Sequence, residues 1–368
     1  MTELDAVHCP VTLSRKQAGT IVRFIRLLHH LHRLPRYLDL VTPLLSESAR
    51  FEPGHEAVMM GYDFHITPDG PRLIEVNTNA GGSLLAWRAQ QHANGHPFPL
   101  HGRRNRIMDS FNEEMVLFSR GHKQKPEHVI ILDETPERQF LYHEMQTFAA
   151  LFAQSGIPAS VTAPETLEVQ DGFLFHQGQR VDMIYNRHCD FYLDSSAMAP
   201  VRAAWLAGRV CLSPNPRTYG LLSDKRRMTL WSDPQVVASL GLSPAQQRLL
   251  LDIVLQTRLM AGEDPALLWR ERQHWVFKPV TSHGGKGVLL GRKISRARFD
   301  ALVPGETLVQ RLAPPSLTRC TDREQPVKTD FRFFVYRHRV LGIAARVYQG
   351  QLTTLREPGS GYAPVRLV

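Results

Sequence analysis

A chain of 368 residues, 43% hydrophobic and 21% charged, is long enough for two or three compact lobes and has the balance of a globular protein rather than a disordered or fibrous one. No apolar run approaches the roughly 20 residues that span a bilayer, and the opening MTELDAVHCPVTL lacks the basic stretch and apolar core of a secretory signal. A cytoplasmic protein without a membrane partner is therefore expected. The formal charge of +9 comes from dispersed Lys and Arg with no basic block interleaved with aromatics, which argues against nucleic acid and leaves an anionic ligand in a cleft as one use for the excess.

In chain order, residues 14–34 place Ile21, Phe24, Ile25, Leu28 and Leu31 at steps of three and four, which predicts an amphipathic helix. His29, His30 and His32 lie in its C-terminal half, where the helix dipole favours histidine; that explains them better than metal binding does. Residues 57–66 and 72–77 read as strands joined by Thr67-Pro68-Asp69-Gly70, a turn in which Pro presets φ and Gly reaches positive φ. Residues 83–93 and 104–119 read as helices. From Pro126, apolar strands at 128–132, 157–161 and 181–185 accompany a helix over 137–155, the pattern of a small doubly wound parallel sheet. It has no GxGxxG, so a dinucleotide fingerprint is absent. Beyond 213 a helix is predicted over 244–260. The strands WVFKPV, GVLLGR, TLVQRL, DFRFFVY and RVLGIAARVY follow, in a mostly antiparallel sheet. Cys9, Cys189, Cys211 and Cys320 are far apart without zinc spacing, and are expected to be reduced, structural thiols.

Three constellations carry chemistry. In the first, Glu75 and Asn77 share one face of their strand because side chains alternate with period two, and Asp63 lies on the opposing strand. Two carboxylates and an amide oxygen form a hard site suited to Mg²⁺, or Mn²⁺ in its place; the plainer alternative is a polar hairpin face. In the second, Lys278 precedes a turn containing Gly284, Gly285, Lys286 and Gly287, where glycines let N–H groups approach phosphate oxygens. It is not a Walker loop. In the third, Lys225 ends the run SPNPRTYGLLSDK at a helix start, where a bound anion would offset an unfavourable dipole.

The combination resembles the ATP-grasp superfamily, chiefly bacterial glutathione synthetase and the glutamate ligases of that type, with D-alanine–D-alanine ligase more distant. The resemblance covers about 128–368 and 55–82. It implies an α/β (α+β) ATP-grasp fold with a small doubly wound domain ahead of it, and an ADP-forming ligase that joins a carboxylate to an amine through an acyl phosphate. It also implies residue roles. Lys225 and Lys278 match the nucleotide lysines, and Gly284, Gly285, Lys286 and Gly287 the phosphate loop. Gln310, Arg311 and Leu312 match the hinge that meets adenine through backbone groups; the family commonly has an acidic residue where Arg311 stands. Asp330 matches an Asp that faces the nucleotide. Arg346 matches an arginine that steadies negative charge at the transferred phosphoryl, and Asp63, Glu75 and Asn77 match the magnesium ligands. Asn79, Gly81 and Gly82 would line the acceptor site, and Arg187 would meet a substrate carboxylate. Thr354 stands where the family often has Asn, and no role is assigned to it.

The order departs from the family, where the metal hairpin comes last. Circular permutation accounts for this. The expected division is 1–100 as the displaced part of the large lobe, with the metal hairpin at 57–79. A helical connection over 101–125 follows, then the α/β domain over 126–212, the small nucleotide lobe over 213–305 and the rest of the large lobe over 306–368. Substrates are expected to be small-molecule or peptide carboxylates and amines; a homo-oligomer stays open. A phosphotransferase acting on a non-carboxylate acceptor and a non-catalytic nucleotide-binding protein are the competing readings.

Overall fold

A capping box starts the first long helix: Ser14 accepts from the Gln17 amide, and the Gln17 side chain returns to the Ser14 N–H. In the computed structural model, which describes residues 9–94, 101–281, 285–320 and 324–368, this helix spans Arg15–Leu31. Ile21, Phe24, Ile25, Leu28 and Leu31 are all fully buried, each contributing about 1.5–3 kcal/mol relative to an exposed position. Phe24 meets Phe64 edge-on, so the helix packs onto the strand that carries Asp63.

That strand, Met60–Thr67, and its partner Gly70–Asn77 form the predicted hairpin. They belong to a six-stranded antiparallel sheet, not to a separate unit. In order, the sheet runs Gly361–Ala363, Arg339–Tyr348, Val327–Tyr336, Met60–Thr67, Gly70–Asn77, with Ser316–Thr318 also on Val327–Tyr336. One hydrophobic core unites the first helix, the hairpin and the late strands through Phe24, Phe64, Phe331 and Phe333.

The parallel sheet is ordered Cys211–Ser213, Met183–Asn186, Val129–Leu132, Ala159–Thr162. The helix expected over 137–155 begins only at Tyr142, because Pro136–Arg138 forms a separate 3₁₀ turn. A three-stranded meander over Glu168–Gln170, Phe173–His176 and Gln179–Arg180 is an addition the sequence reading did not anticipate.

A four-stranded antiparallel sheet of Thr257–Leu259, Thr307–Arg311, Trp275–Pro279 and Leu289–Leu290 carries Lys278. Here the helix predicted over 244–260 stops at Ile253. Val254 turns extended and bridges to Leu73, and Thr257 pairs with Gln310, so sheet pairing overrides the apolar periodicity. The strand expected at GVLLGR shrinks to two residues, since Gly291–Lys293 is a 3₁₀ turn.

Val11–Leu13 pairs in parallel with Val365–Leu367. Beside this pair Cys9 and Cys320 form a disulfide, which corrects the expectation of four reduced cysteines; the fold brings together residues 311 positions apart. Cys211 is a buried free thiol, and Cys189 a half-buried one. No helix among the described residues is long and apolar enough to cross a membrane.

Candidate active site

Strand register builds the centre of the site. Asp63 opposes Glu75 and Gly61 opposes Asn77, with an irregularity just after Asp63. On the other side Asp63 opposes Arg332, while Asp330 opposes Arg346 one strand further out. Period two then puts Asp330 and Arg332 on one face.

Asp63 is wholly buried. Arg332 donates to it twice, Nε to Oδ1 at 2.7 Å and a terminal nitrogen to Oδ2 at 2.6 Å. Arg346 reaches the same Oδ2 at 2.9 Å and makes a bidentate pair with Asp330 at 2.6 and 2.9 Å. The Thr353 hydroxyl also donates to Asp330. Burial alone would raise the Asp63 carboxyl; the charges and hydrogen bonds of Arg332 and Arg346 hold it below the usual range. Arg332 and Thr353 were not foreseen. The signal for Arg332 was present in the alternation of TDFRFF. Thr353, rather than Thr354, holds Asp330, and Thr354 instead accepts from the Arg356 amide at 3.2 Å.

Asn77 Nδ2 donates to Glu75 Oε1 at 3.1 Å and lies 3.4 Å from Asp63 Oδ2. The donor set, two carboxylates and an amide on adjacent strands, fits a hard divalent cation in kind. Both Asp63 oxygens are engaged by guanidinium, so a cation there would share or displace those contacts. No cluster of three or more His, Cys, Asp or Glu residues suited to a metal occurs among the described residues.

Lys278 comes from the other sheet, yet its Nζ donates to the Ile74 carbonyl of the hairpin at 3.0 Å. Burial lowers its ammonium to about 8; the charge of Lys225 also lowers it, while Glu75 and Asp63 oppose the shift. The charges of Lys225, Glu75 and Asp63 thus all act at Lys278. Lys225 follows a π-helical turn, Tyr219–Ser223, and precedes the helix Arg227–Trp231. Its neighbour Asp224 is fixed by Arg226 and by the Tyr192 hydroxyl at 2.7 Å.

Gly284 lies outside the described residues. Gly285 and Gly287 adopt φ of +74° and +73°, and between them Lys286 is near enough to Cys189 for its charge to act on that thiol. In the strand Thr307–Arg311, Gln310 is buried and donates to the Thr257 hydroxyl at 3.2 Å. The N–H of Arg311 donates to Gln256 O and that of Leu312 to His274 O, both at 2.8 Å. These two amides are therefore spent within the fold, and adenine would have to displace one or use other groups. The Arg311 guanidinium lies over the Trp275 ring.

At the other end, Arg187 Nη1 donates to the Asn79 carbonyl at 2.6 Å. Arg187 is buried, and among the described residues it forms no ion pair; Glu144 and Asp133 act on it only through longer-range charge. Asp133, unforeseen here, follows the neighbouring parallel strand, and burial raises its carboxyl to about 6 against the charge of Arg187. Gly81 and Gly82 are needed for close approach. A Cβ on Gly81 would lie 2.4 Å from the Arg187 guanidinium, and one on Gly82, whose φ is +91°, 1.8 Å from the Tyr362 hydroxyl. Glu144 accepts from the Gly82 and Leu84 amides at 2.7 and 2.9 Å, capping the helix that follows.

No family model and no curated protein sequence matches the chain. Solved structures do. A glutathione synthetase-like effector from Globodera pallida, in its apo form, superposes at 12% identity over 98% of this chain and 89% of its own, with a TM-score of 0.62. A putative gamma-glutamylcysteine synthetase from Methylobacillus flagellatus does so at 11% identity over 96% and 88%, with a TM-score of 0.52. The ATP-grasp ligase PsnB, solved with a minimal precursor, Mg and ADP, overlaps only loosely, at 12% identity over 65% of this chain and 88% of its own, with a TM-score of 0.32. The first two likenesses run over nearly the whole chain, and they give it the mixed helix-and-sheet fold of those two proteins.

Proposed function

We propose that the protein is an ATP-dependent, ADP-forming ligase that joins a carboxylate to an amine. The observation that carries this reading is the reach of Lys278 from the small sheet to Ile74 of the acidic hairpin, which brings it within the electrostatic influence of Lys225, Asp63 and Glu75. Paired cations opposite paired carboxylates suit a metal–triphosphate complex.

In this reading Lys278 and Lys225 hold phosphate oxygens, and the loop around Gly285–Gly287 closes over them to exclude water. Asp63, Glu75 and Asn77 would hold Mg²⁺, which supplies charge neutralisation at the phosphates. Arg187 binds a substrate carboxylate, for which a buried guanidinium that forms no ion pair among the described residues is suited. A second carboxylate takes the γ-phosphoryl group, an amine displaces phosphate from the acyl phosphate, and Arg346 with Arg332 steadies the developing negative charge. The likeness to glutathione and gamma-glutamylcysteine synthetase-type proteins favours amino-acid or short-peptide substrates. We read the early position of the acidic hairpin as a circular permutation, with 1–100 and 306–368 contributing to one lobe around 126–212 and 213–305. A cytoplasmic location fits the Cys9–Cys320 disulfide poorly, because such bonds persist in oxidising compartments.

The test is ADP release over pairs of amino acids and dipeptides, with amide formation followed by mass spectrometry. Turnover that needs both a carboxylate and an amine, and that drops at least about a hundredfold in Glu75→Ala, supports the ligase. ADP formed with a phosphorylated, non-carboxylate product would establish the phosphotransferase instead, and unchanged turnover in Glu75→Ala would remove the metal assignment.

A further inference from the structure

The parallel sheet grows in two directions. From Val129–Leu132 the chain adds Ala159–Thr162 on one side, then Met183–Asn186 and Cys211–Ser213 on the other. Where strand order reverses in this way, a crevice opens outside the carboxyl ends of the two flanking strands, and ligands settle there. The flanking strands here are Val129–Leu132 and Met183–Asn186, in register with Leu132 opposite Asn186. The next residue on each is charged: Asp133 on one, Arg187 on the other. The ladder carries on through both, since the Arg187 amide donates to the Leu132 carbonyl at 2.8 Å and the Asp133 amide to the Thr162 carbonyl at 3.2 Å.

Opposite charges set on neighbouring strand ends commonly close on each other. These do not. Asp133 is 9% exposed and Arg187 8%, yet neither forms an ion pair among the described residues. Asp133 Oδ1 accepts from the Glu134 amide at 2.8 Å, and Arg187 is turned to the Asn79 carbonyl. Buried charges held apart lack the contact that offsets their lost hydration. Burial accordingly dominates at Asp133, and the charge of Arg187 offsets it only in part. The same crevice adjoins the candidate active site through Cys189. Burial, then the charge of Asp133, raise that thiol to about 11, against the charges of Arg187 and of Lys286 in the glycine loop and a contact from the Asn79 amide. A ligand that satisfies both buried groups carries both charges. A dicarboxylate meets Arg187 but is repelled by Asp133, and a diamine meets the reverse.

We propose that Asp133 binds the ammonium group of an α-amino acid head whose carboxylate lies on Arg187. This rests on the ligase reading, which puts a substrate carboxylate at Arg187, and it narrows the substrate class to molecules with a free α-amino acid head. Both head groups are held for recognition, so the group that reacts lies elsewhere on the molecule. Calorimetric titration of the full chain, with and without Mg²⁺ and a non-hydrolysable ATP analogue, tests it. The probes are L-glutamate and L-aspartate, glutarate and succinate, which lack the ammonium, and γ-aminobutyrate and β-alanine, which lack the α-carboxylate. At least one amino acid should saturate one site, with its two counterparts at least about tenfold weaker. Asp133→Asn should erase the preference over the dicarboxylate while leaving the thermal melt and the binding of the dicarboxylate itself unchanged. Arg187→Gln should weaken amino acid and dicarboxylate together. A dicarboxylate bound as well as its amino acid, an Asp133→Asn variant that loses both in equal measure, or no saturable binding by either amino acid would overturn the proposal. ADP release keeps the two readings apart. Turnover that needs a carboxylate and an amine but ignores the α-ammonium removes Asp133 from recognition and leaves the ligase. A head-group preference that Asp133→Asn erases, with no ADP released from any pair, upholds the head-group site and removes the ligase.

Discussion

Lys278 ties the charge of the site to pH. Burial and the neighbouring Lys225 bring its ammonium down to about 8 from the ordinary 10.5, so in the free protein it loses its proton within an accessible range. The phosphate contact proposed for it needs the proton. We expect the KM for ATP to be flat at neutral pH and to rise as pH climbs through about 8, and Lys278→Met to abolish that limb while weakening ATP binding by about 10- to 100-fold at all pH values. Stability should move the other way. Between about 8 and 10.5 the unfolded chain holds a proton that the folded one has released, so stability rises with pH across this window. A KM that ignores pH between 7 and 9.5 would refute the assignment. At this scale the placement of several candidate residues was legible. Asp63, Glu75 and Asn77 follow from strand alternation and one turn, and Lys278 from its place before a glycine run. Arg332 obeyed the same alternation but was passed over in favour of Asp330. Thr353 was unreadable because no periodicity fixes which residue of a turn points inward.

The elements show why some sequence signals failed. Residues 254–259 continue an apolar pattern that cannot distinguish helix from buried strand, and the partner that decides it, Thr307–Arg311, lies some fifty residues on. The first helix was legible to within three residues of its end, since cap, stripe and core face agree. Its C-terminal histidines turned out to serve a carboxylate. His29 lies 3.3 Å and His32 3.9 Å from Glu56, which also meets Arg33 and Arg337. Burial lowers His32 to about 4 despite the Glu56 charge. Burial alone would raise Glu56, but the His29 hydrogen bond and the charges of His32, His29 and Arg33 bring it down to about 2. Both groups are depressed in the fold, so both cost stability on acidification: His32 as pH falls from 6.5 towards 4, Glu56 as it falls from 4.5 towards 2. Chemical denaturation at stepped pH should show both slopes. His32→Gln should flatten the upper window and leave the lower one, and Glu56→Gln should remove the lower one and lower stability at pH 7 by about 1–3 kcal/mol. Equal slopes in all three proteins would exclude this cluster as the source.

At the scale of the molecule, the early hairpin and the last strands share one sheet and one core, and the two ends of the described chain meet at Val11–Leu13 and Val365–Leu367. The resemblance pointed to that partnership, because in the family's order the acidic hairpin follows the arginine strand, which here lies near the end of the chain. It gave no sign of the covalent tie, since Cys9 and Cys320 approach only after the first and last parts of the chain have come together. A bond joining residues 311 apart removes much of the freedom of the unfolded chain. On the loop-entropy account this is worth up to about 5 kcal/mol, and residual structure in the unfolded chain reduces it. A single cysteine change at either end should therefore lower Tm by several degrees, and Cys9→Ser, Cys320→Ser and the double variant should melt together, because one bond is lost in each. Dithiothreitol should bring the unaltered protein to the same Tm and leave the variants where they are. Cys189→Ser, which touches no disulfide, should still respond to the reductant. Intact-mass measurement after alkylation should count two free thiols in the denatured, unreduced protein; four free thiols, or a melt indifferent to reductant, would place the two ends of the fold together by packing and strand pairing alone.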